Sequence, residues 1–212
     1  MKKSAILSVL ILGLVAALAA VPASADDLYS NITGSSYTIS SYIINYYEMP
    51  TDSFTLSSTS TITSTILGLW LNPGDTAESV DWQIVPTPLV YSSNIAGGES
   101  SVVSSVSEGS LYGFDMYQVT IDIIPGVTLG PGTYYLELDN VNTLEDNGAS
   151  WDVSNGGSSG VIMDTYGFGG NPSETFEIDG STGSVVPEPS SFLLLGSGLA
   201  GLAGLLKRKF RA

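Results

Sequence analysis

Carboxylates are the only charged side chains between Ser4 and Leu206. Residues 26–186 hold 20 acids and no base, and the whole chain has neither His nor Cys. That composition removes Ser-His-Asp chemistry, Cys nucleophiles, zinc sites built from His or Cys, and disulfides. Phosphate neutralisation needs Lys or Arg, so nucleic acid is excluded as a partner. Carboxylates, hydroxyls, amides and aromatic rings are left to do chemistry. Two carboxylates can hydrolyse a glycosidic bond. Among 20 acids some pair at a suitable separation is inevitable, and no Arg, His or Lys stands by to orient a sugar. The expectation is therefore not an enzyme.

Hard cations take clustered oxygens, which makes Ca2+ the candidate cofactor. The densest stretches are Asp75-Glu78-Asp81 and 139–146, where Asn140, Asn142 and Asn147 lie among or beside the acids. Asp139, Glu145 and Asp146 are the candidate ligands. The run lacks EF-hand order, since Val141 takes the third ligand position. The competing reading is solvated outward charge that keeps the chain soluble. A third chemistry is carbohydrate binding on an aromatic face. Trp82 lies on an apolar stripe and Trp70 in an apolar strand, so both read as core. Trp151 follows Asn147-Gly148-Ala149-Ser150 and precedes Asp152, which makes it the exposed candidate.

The elements that must position these groups read as short strands. Apolar residues alternate with period 2, and no long 3.6-period segment occurs. Tyr37, Ile39, Ser41 and Ile43 form one stripe. Phe54 and Leu56 start a second strand, and 62–71 continues as a third. Val80, Trp82 and Ile84 alternate with Asp81 and Gln83; Tyr117, Val119, Ile121 and Ile123 with Gln118, Thr120 and Asp122. Tyr134, Leu136 and Leu138 alternate with Tyr135, Glu137 and Asp139; Phe176 and Ile178 with Glu177 and Asp179. The acids of these four strands fall on the outward face. Asn72-Pro73-Gly74-Asp75, Pro125-Gly126, Gly130-Pro131-Gly132 and Asn147-Gly148 mark turns. The expectation is all-β: a two-sheet antiparallel sandwich of jelly-roll type over 26–186.

Both ends of the chain differ from this body. Lys2 and Lys3 precede an apolar run at 6–20, and Ala23 and Ala25 supply a small-residue cleavage site before Asp26. Residues 1–25 therefore read as a secretory signal peptide. At the other end Pro187-Glu188-Pro189 forms an extended segment that a helix cannot incorporate. An apolar helix is expected at about 190–206, of about the minimum length for a bilayer. Lys207, Arg208, Lys209 and Arg211 follow and act as a basic stop, held in the cytoplasm by the positive-inside rule.

Motif, apolar span and basic cluster in that order make 187–212 resemble the PEP-CTERM sorting signal of Gram-negative bacteria. The resemblance implies recognition and cleavage near the motif by a membrane-embedded exosortase. It implies an exported protein, first an inner-membrane-anchored precursor and then a component of the cell surface or extracellular matrix. That family accompanies exopolysaccharide, biofilm and floc formation, so exopolysaccharide is a candidate partner. It brings no activity for the body. The expected function is a sorted surface or matrix protein with a structural or adhesive role. The alternative is a polysaccharide-binding module that uses calcium.

Overall fold

The structure is a computed structural model that describes residues 25–32, 40–90, 93–164, 167–171 and 173–183. Period-2 alternation sets its strands. Val80, Trp82 and Ile84 point inward from β5 (Ala77–Val85), and Val119, Ile121 and Ile123 from β7 (Phe114–Leu129). Leu136 and Leu138 do so from β8 (Gly132–Thr143), and Phe176 and Ile178 from β12 (Phe176–Thr182). In β4 (Ser60–Leu71) the inward set changes phase, from Ile62 to Leu67, Leu69 and Leu71. Ile62 and Ser64 stand opposite the consecutive Gly180 and Asp179 of β12, so Thr63 is the extra residue.

The strands at 41–44 and 96–111 depart from the sequence reading, and those at 26–30, 149–152, 160–164 and 167–171 are additional to it. β2 (Ser41–Ile44) exposes 53% of Ile43 and buries Ile44 instead. Its partner β9 (Ala149–Asp152) places the core residues Ala149 and Trp151 opposite Ile44 and Tyr42, and Ser150 opposite Ile43. The expected stripe is therefore one residue out of phase at Ile43; Tyr37 and Ile39 lie outside the described residues. β6 (Ala96–Leu111) is a 16-residue strand that apolar periodicity does not reveal, because Ser and Gly fill most of it.

All pairings are antiparallel. The remaining strands are β1 (Asp26–Ser30), β3 (Met49–Leu56), β10 (Gly160–Asp164) and β11 (Gly167–Asn171). The order across the sheet is β1-β12-β4-β7-β6-β5-β8-β3-β10-β11, with β9 and β2 branching from β4. β5, β6 and β7 are consecutive, and β8 returns to lie beside β5, which is a Greek key. β4 beside β7 completes a second one that shares the same three strands. β6 is the fold line. Its first residues pair with β5, from Ile84↔Ala96 to Ser79↔Ser101. Its later residues pair with β7, from Val102↔Ile121 to Leu111↔Phe114.

The sheet thus curls until its two halves face each other. Phe54 of β3 meets Phe176 of β12 edge-on at 6.5 Å and Tyr29 of β1 at 6.3 Å. Leucine, isoleucine and valine from β4, β5, β7 and β8 fill the same core. Burying each large apolar side chain contributes about 1.5–3 kcal/mol. Twenty-one buried residues form this one cluster, and the chain has no Cys for a disulfide to reinforce it.

Candidate functional site

With no base in the body, each buried acid must be held by neutral donors. Asp75 lies in the turn before β5 and is 1% exposed. Pro73 and Gly74 (φ 82°) form that turn, closed by Asp75 N donating to Asn72 O at 3.0 Å. One carboxylate oxygen of Asp75 accepts from the backbone N–H of Thr76 (2.8 Å) and Glu145 (3.0 Å). The other accepts from Asn147 Nδ2 at 3.1 Å. Burial works against the charge of Asp75, but the donors from Glu145, Thr76, Thr143 and Asn147 outweigh it and hold its pKa below the usual aspartate value. This anion, tied to the loop after β8, gives the 143–148 turn its shape.

The acids proposed as calcium ligands are dispersed by that arrangement. Asp139 lies mid-way along β8, where Gln83 Nε2 donates to it at 2.6 Å. Glu145 and Asp146 lie in the turn beyond Thr143, with Asp146 at φ 61°. Among the described residues no group of three or more acids is placed to hold a metal ion. The local density of acids in the sequence reflects a turn that needs Asp75 as its hydrogen-bond hub.

Trp151 is 0% exposed, which corrects its reading as a sugar platform. Its ring packs edge-on against Phe176 at 5.6 Å, and its Nε1–H donates to Thr175 O at 3.0 Å. The polar run before it is the turn, while Trp151 itself is a core residue of β9. Trp70 and Trp82 are buried as expected.

A second buried acid organises another cluster. Asp52, 0% exposed in β3, accepts from Ser53 N (2.6 Å), Glu174 N (2.6 Å) and Ser158 Oγ (2.8 Å). Asn31 joins the same network: its Nδ2 donates to Ser158 Oγ (3.0 Å), Ser173 Oγ (2.8 Å) and Glu174 O, and its Oδ1 accepts from Phe176 N at 2.7 Å. Burial pushes the Asp52 pKa up to about 6, against the pull of these donors. Ser158 lines an open cleft of about 340 Å3. A hydroxyl on a carboxylate is half of a nucleophile arrangement. Here no imidazole or amine relays the proton, and Asn31 and Ser173 also hold Ser158. The cluster ties β3 to the segment after β1, the 154–158 loop and residues 173–174.

On the outer surface, charge accumulates. Asp27 of β1 stands opposite Asp179 of β12, two residues from Glu177 on the same face. Partial burial, then the charge and hydrogen bond of Glu177 and the charge of Asp27, push the Asp179 pKa up to about 6, while Ser64 pulls it down.

The outer face at the β2–β9–β4 end carries a different surface. Ile43, Ser150, Trp70 and Met116 stand opposite one another in register, so they share a face. Trp70 donates through Nε1 to Asp152 Oδ1 at 2.7 Å. The Phe114 ring lies 6.0 Å from the Trp70 ring and is 39% exposed. It starts β7 directly after the two-residue turn Tyr112-Gly113, whose φ values of 52° and 87° fit the type I′ hairpin. Ile43, Ser150, Trp70 and Phe114 border a cleft of about 460 Å3 that, among the described residues, five asparagines also line, with Asp146 as its one acid. Sequence reading passed over Phe114; Tyr112-Gly113 just before the alternating run of β7 was the available turn signal.

Pro187, Glu188, Pro189, Lys207, Arg208, Lys209, Arg211 and Ala23 lie outside the described residues. Ala25 is described and exposed just before β1. Among the described residues no helix is long and apolar enough to cross a membrane; the segments expected to do so lie outside them. Residues 185–209 match the family profile of the PEP-CTERM protein-sorting motif. The chain carries a PEP-CTERM sorting signal. That signal marks an exosortase substrate, exported and held as a membrane-anchored precursor on the way to the cell surface. The match covers the tail expected from Pro187-Glu188-Pro189 and stops short of the β body. No curated protein matches the chain.

Proposed function

We propose that this PEP-CTERM protein is a non-catalytic structural or adhesive component of the surface or extracellular matrix of a Gram-negative bacterium. The PEP-CTERM match at 185–209 carries the reading. The body supports it: it offers no base, and Asp52, Asp75 and Asp152 are engaged by donors that stitch strands and loops together. The paired Greek keys and the aromatic contacts between the two halves favour placing the curled sheet with the jelly-roll sandwiches. Signal cleavage after Ala25 and exosortase cleavage near Pro187 would release 26–186 or a slightly longer chain.

A second reading is that the body binds polysaccharide, favoured by the asparagine-lined cleft beside Phe114. Calcium dependence is not part of it, since Asp139, Glu145 and Asp146 are not brought together. Intact-mass spectrometry of fractions from the native host tests the main proposal. A chain starting at Asp26 and lacking 190–212 should appear in the surface or matrix fraction. Finding only the untrimmed chain, in the inner membrane, would refute it.

A further inference from the structure

We propose that the cleft between β2, the 143–148 turn and the β6–β7 hairpin binds a segment of neutral polysaccharide; this rests on the polysaccharide-binding reading and locates its site. A sugar ring has an apolar C–H face and a rim of hydroxyls. It needs an aromatic or aliphatic wall and uncharged donors and acceptors in fixed positions. The cleft provides both. Phe114, 39% exposed and backed by Trp70, is the aromatic wall, and Ile43, 53% exposed, lies in register with Trp70 across Ser150. Its volume of about 460 Å3 falls within the roughly 300–1,000 Å3 of small-ligand sites.

The amides are already oriented. Asn45 Oδ1 accepts from Tyr47 N (2.8 Å) and Glu48 N (3.0 Å), which leaves its NH2 to donate. Asn147 gives its Nδ2 to Asp75 at 3.1 Å, which leaves its Oδ1 to accept. Asn140 Nδ2 donates to Asn142 Oδ1 at 3.0 Å, and so keeps its own oxygen for a hydroxyl. Groups held by the protein lose little entropy on binding, which favours affinity. Charge selects among glycans. The body has no cation, so an acidic polymer meets repulsion with no compensating pair. A neutral one meets a cleft with, among the described residues, a single acid, Asp146.

The test uses the full-length chain, solubilised in a detergent without a sugar headgroup. Its migration is measured in native gels containing dextran, hydroxyethylcellulose, galactomannan or, as the acidic member, alginate. The variants are Ile43→Asp, Phe114→Ala and, as a control on β6, Val106→Asp. Thermal melting shows that each variant is folded, and Ile43→Asp changes an exposed side chain with little load on the core. The expected result is retardation by at least one neutral polymer; any retardation by alginate, which the basic Lys207, Arg208, Lys209 and Arg211 can cause, should be unaffected by the cleft substitutions. Ile43→Asp and Phe114→Ala should weaken the neutral retardation about tenfold or more, and Val106→Asp should leave it unchanged. Neutral binding that survives both cleft substitutions within about twofold overturns the site and leaves the binding reading standing. No retardation by any neutral polymer overturns both.

Discussion

Gly180 shows how little room single residues have in this fold. A Cβ there would lie 2.0 Å from the Thr61 carbonyl oxygen, beside the bulge where β12 crosses β4. Gly180→Ala must push two paired strands apart. It should cost about 3 kcal/mol in urea unfolding, whereas Gly157→Ala, which opens onto empty space, should cost under about 0.5 kcal/mol. Equal effects would contradict the packing described. Asp52 makes a sharper case through pH. Its folded pKa of about 6 lies above the ordinary 3.8, so the folded chain binds the proton more tightly than the unfolded chain. Stability is then greatest below 3.8 for this group and falls as pH rises towards 6, by about 3 kcal/mol for a shift of that size. Asp179 acts in the same direction. Asp75 and Asp115, whose pKa values are lowered, act oppositely and only below the ordinary value. Melting temperature should therefore be higher at pH 5 than at pH 7.5, and Asp52→Asn should flatten that slope. A melting temperature that rises from pH 5 to pH 7.5 would mean Asp52 is not held in a desolvated site.

At the scale of elements, the strands legible in the sequence are those whose two faces differ in polarity. In β5, β7 and β12 one face is more buried than the other, so alternation finds their central residues; in β8 it finds Leu136 and Leu138, but Glu137, expected to face outward, is buried and accepts from Leu89 N at 3.1 Å. β6 was illegible because its Ser and Gly residues leave no apolar stripe, although it carries the fold line. In β2 the phase was misread because Ile43 and Ile44 are equivalent in hydropathy, and only pairing with β9 decides between them. The turn of 143–148 misled in another way. Its acids look like a cation site, but long-range hydrogen bonds to Asp75, some 70 positions earlier, shape it. Asp75→Ala should remove those bonds and cost about 1–3 kcal/mol. Amide exchange at Glu145 should quicken while that of the β12 core does not. Unchanged protection at Glu145 would remove Asp75 from that role. The tail was the most legible element, because motif, apolar span and basic cluster occur together.

For the whole molecule, the 20 acids that residues 26–186 hold without a base set the behaviour in solution. Like charges such as Asp27 and Asp179 repel across β1 and β12, and salt screens them. Melting temperature should rise with NaCl. CaCl2 at matched ionic strength should give no additional saturable stabilisation, since Asp139, Glu145 and Asp146 do not converge. A saturable excess abolished by Asp139→Asn would restore the calcium site. The same charge leaves the sorting tail as the chain's basic C-terminal end, opposite in sign to the body it delivers.

If the tail directs this body through an exosortase, replacing Pro187, Glu188 and Pro189 together with alanine in the native host should block its maturation. Fractionation with antibodies to the body reads the outcome. The wild-type chain should appear trimmed outside the inner membrane, and the triple variant should accumulate there at full length. A triple variant trimmed and localised like the wild type would contradict the account and leave the tail as a simple membrane anchor.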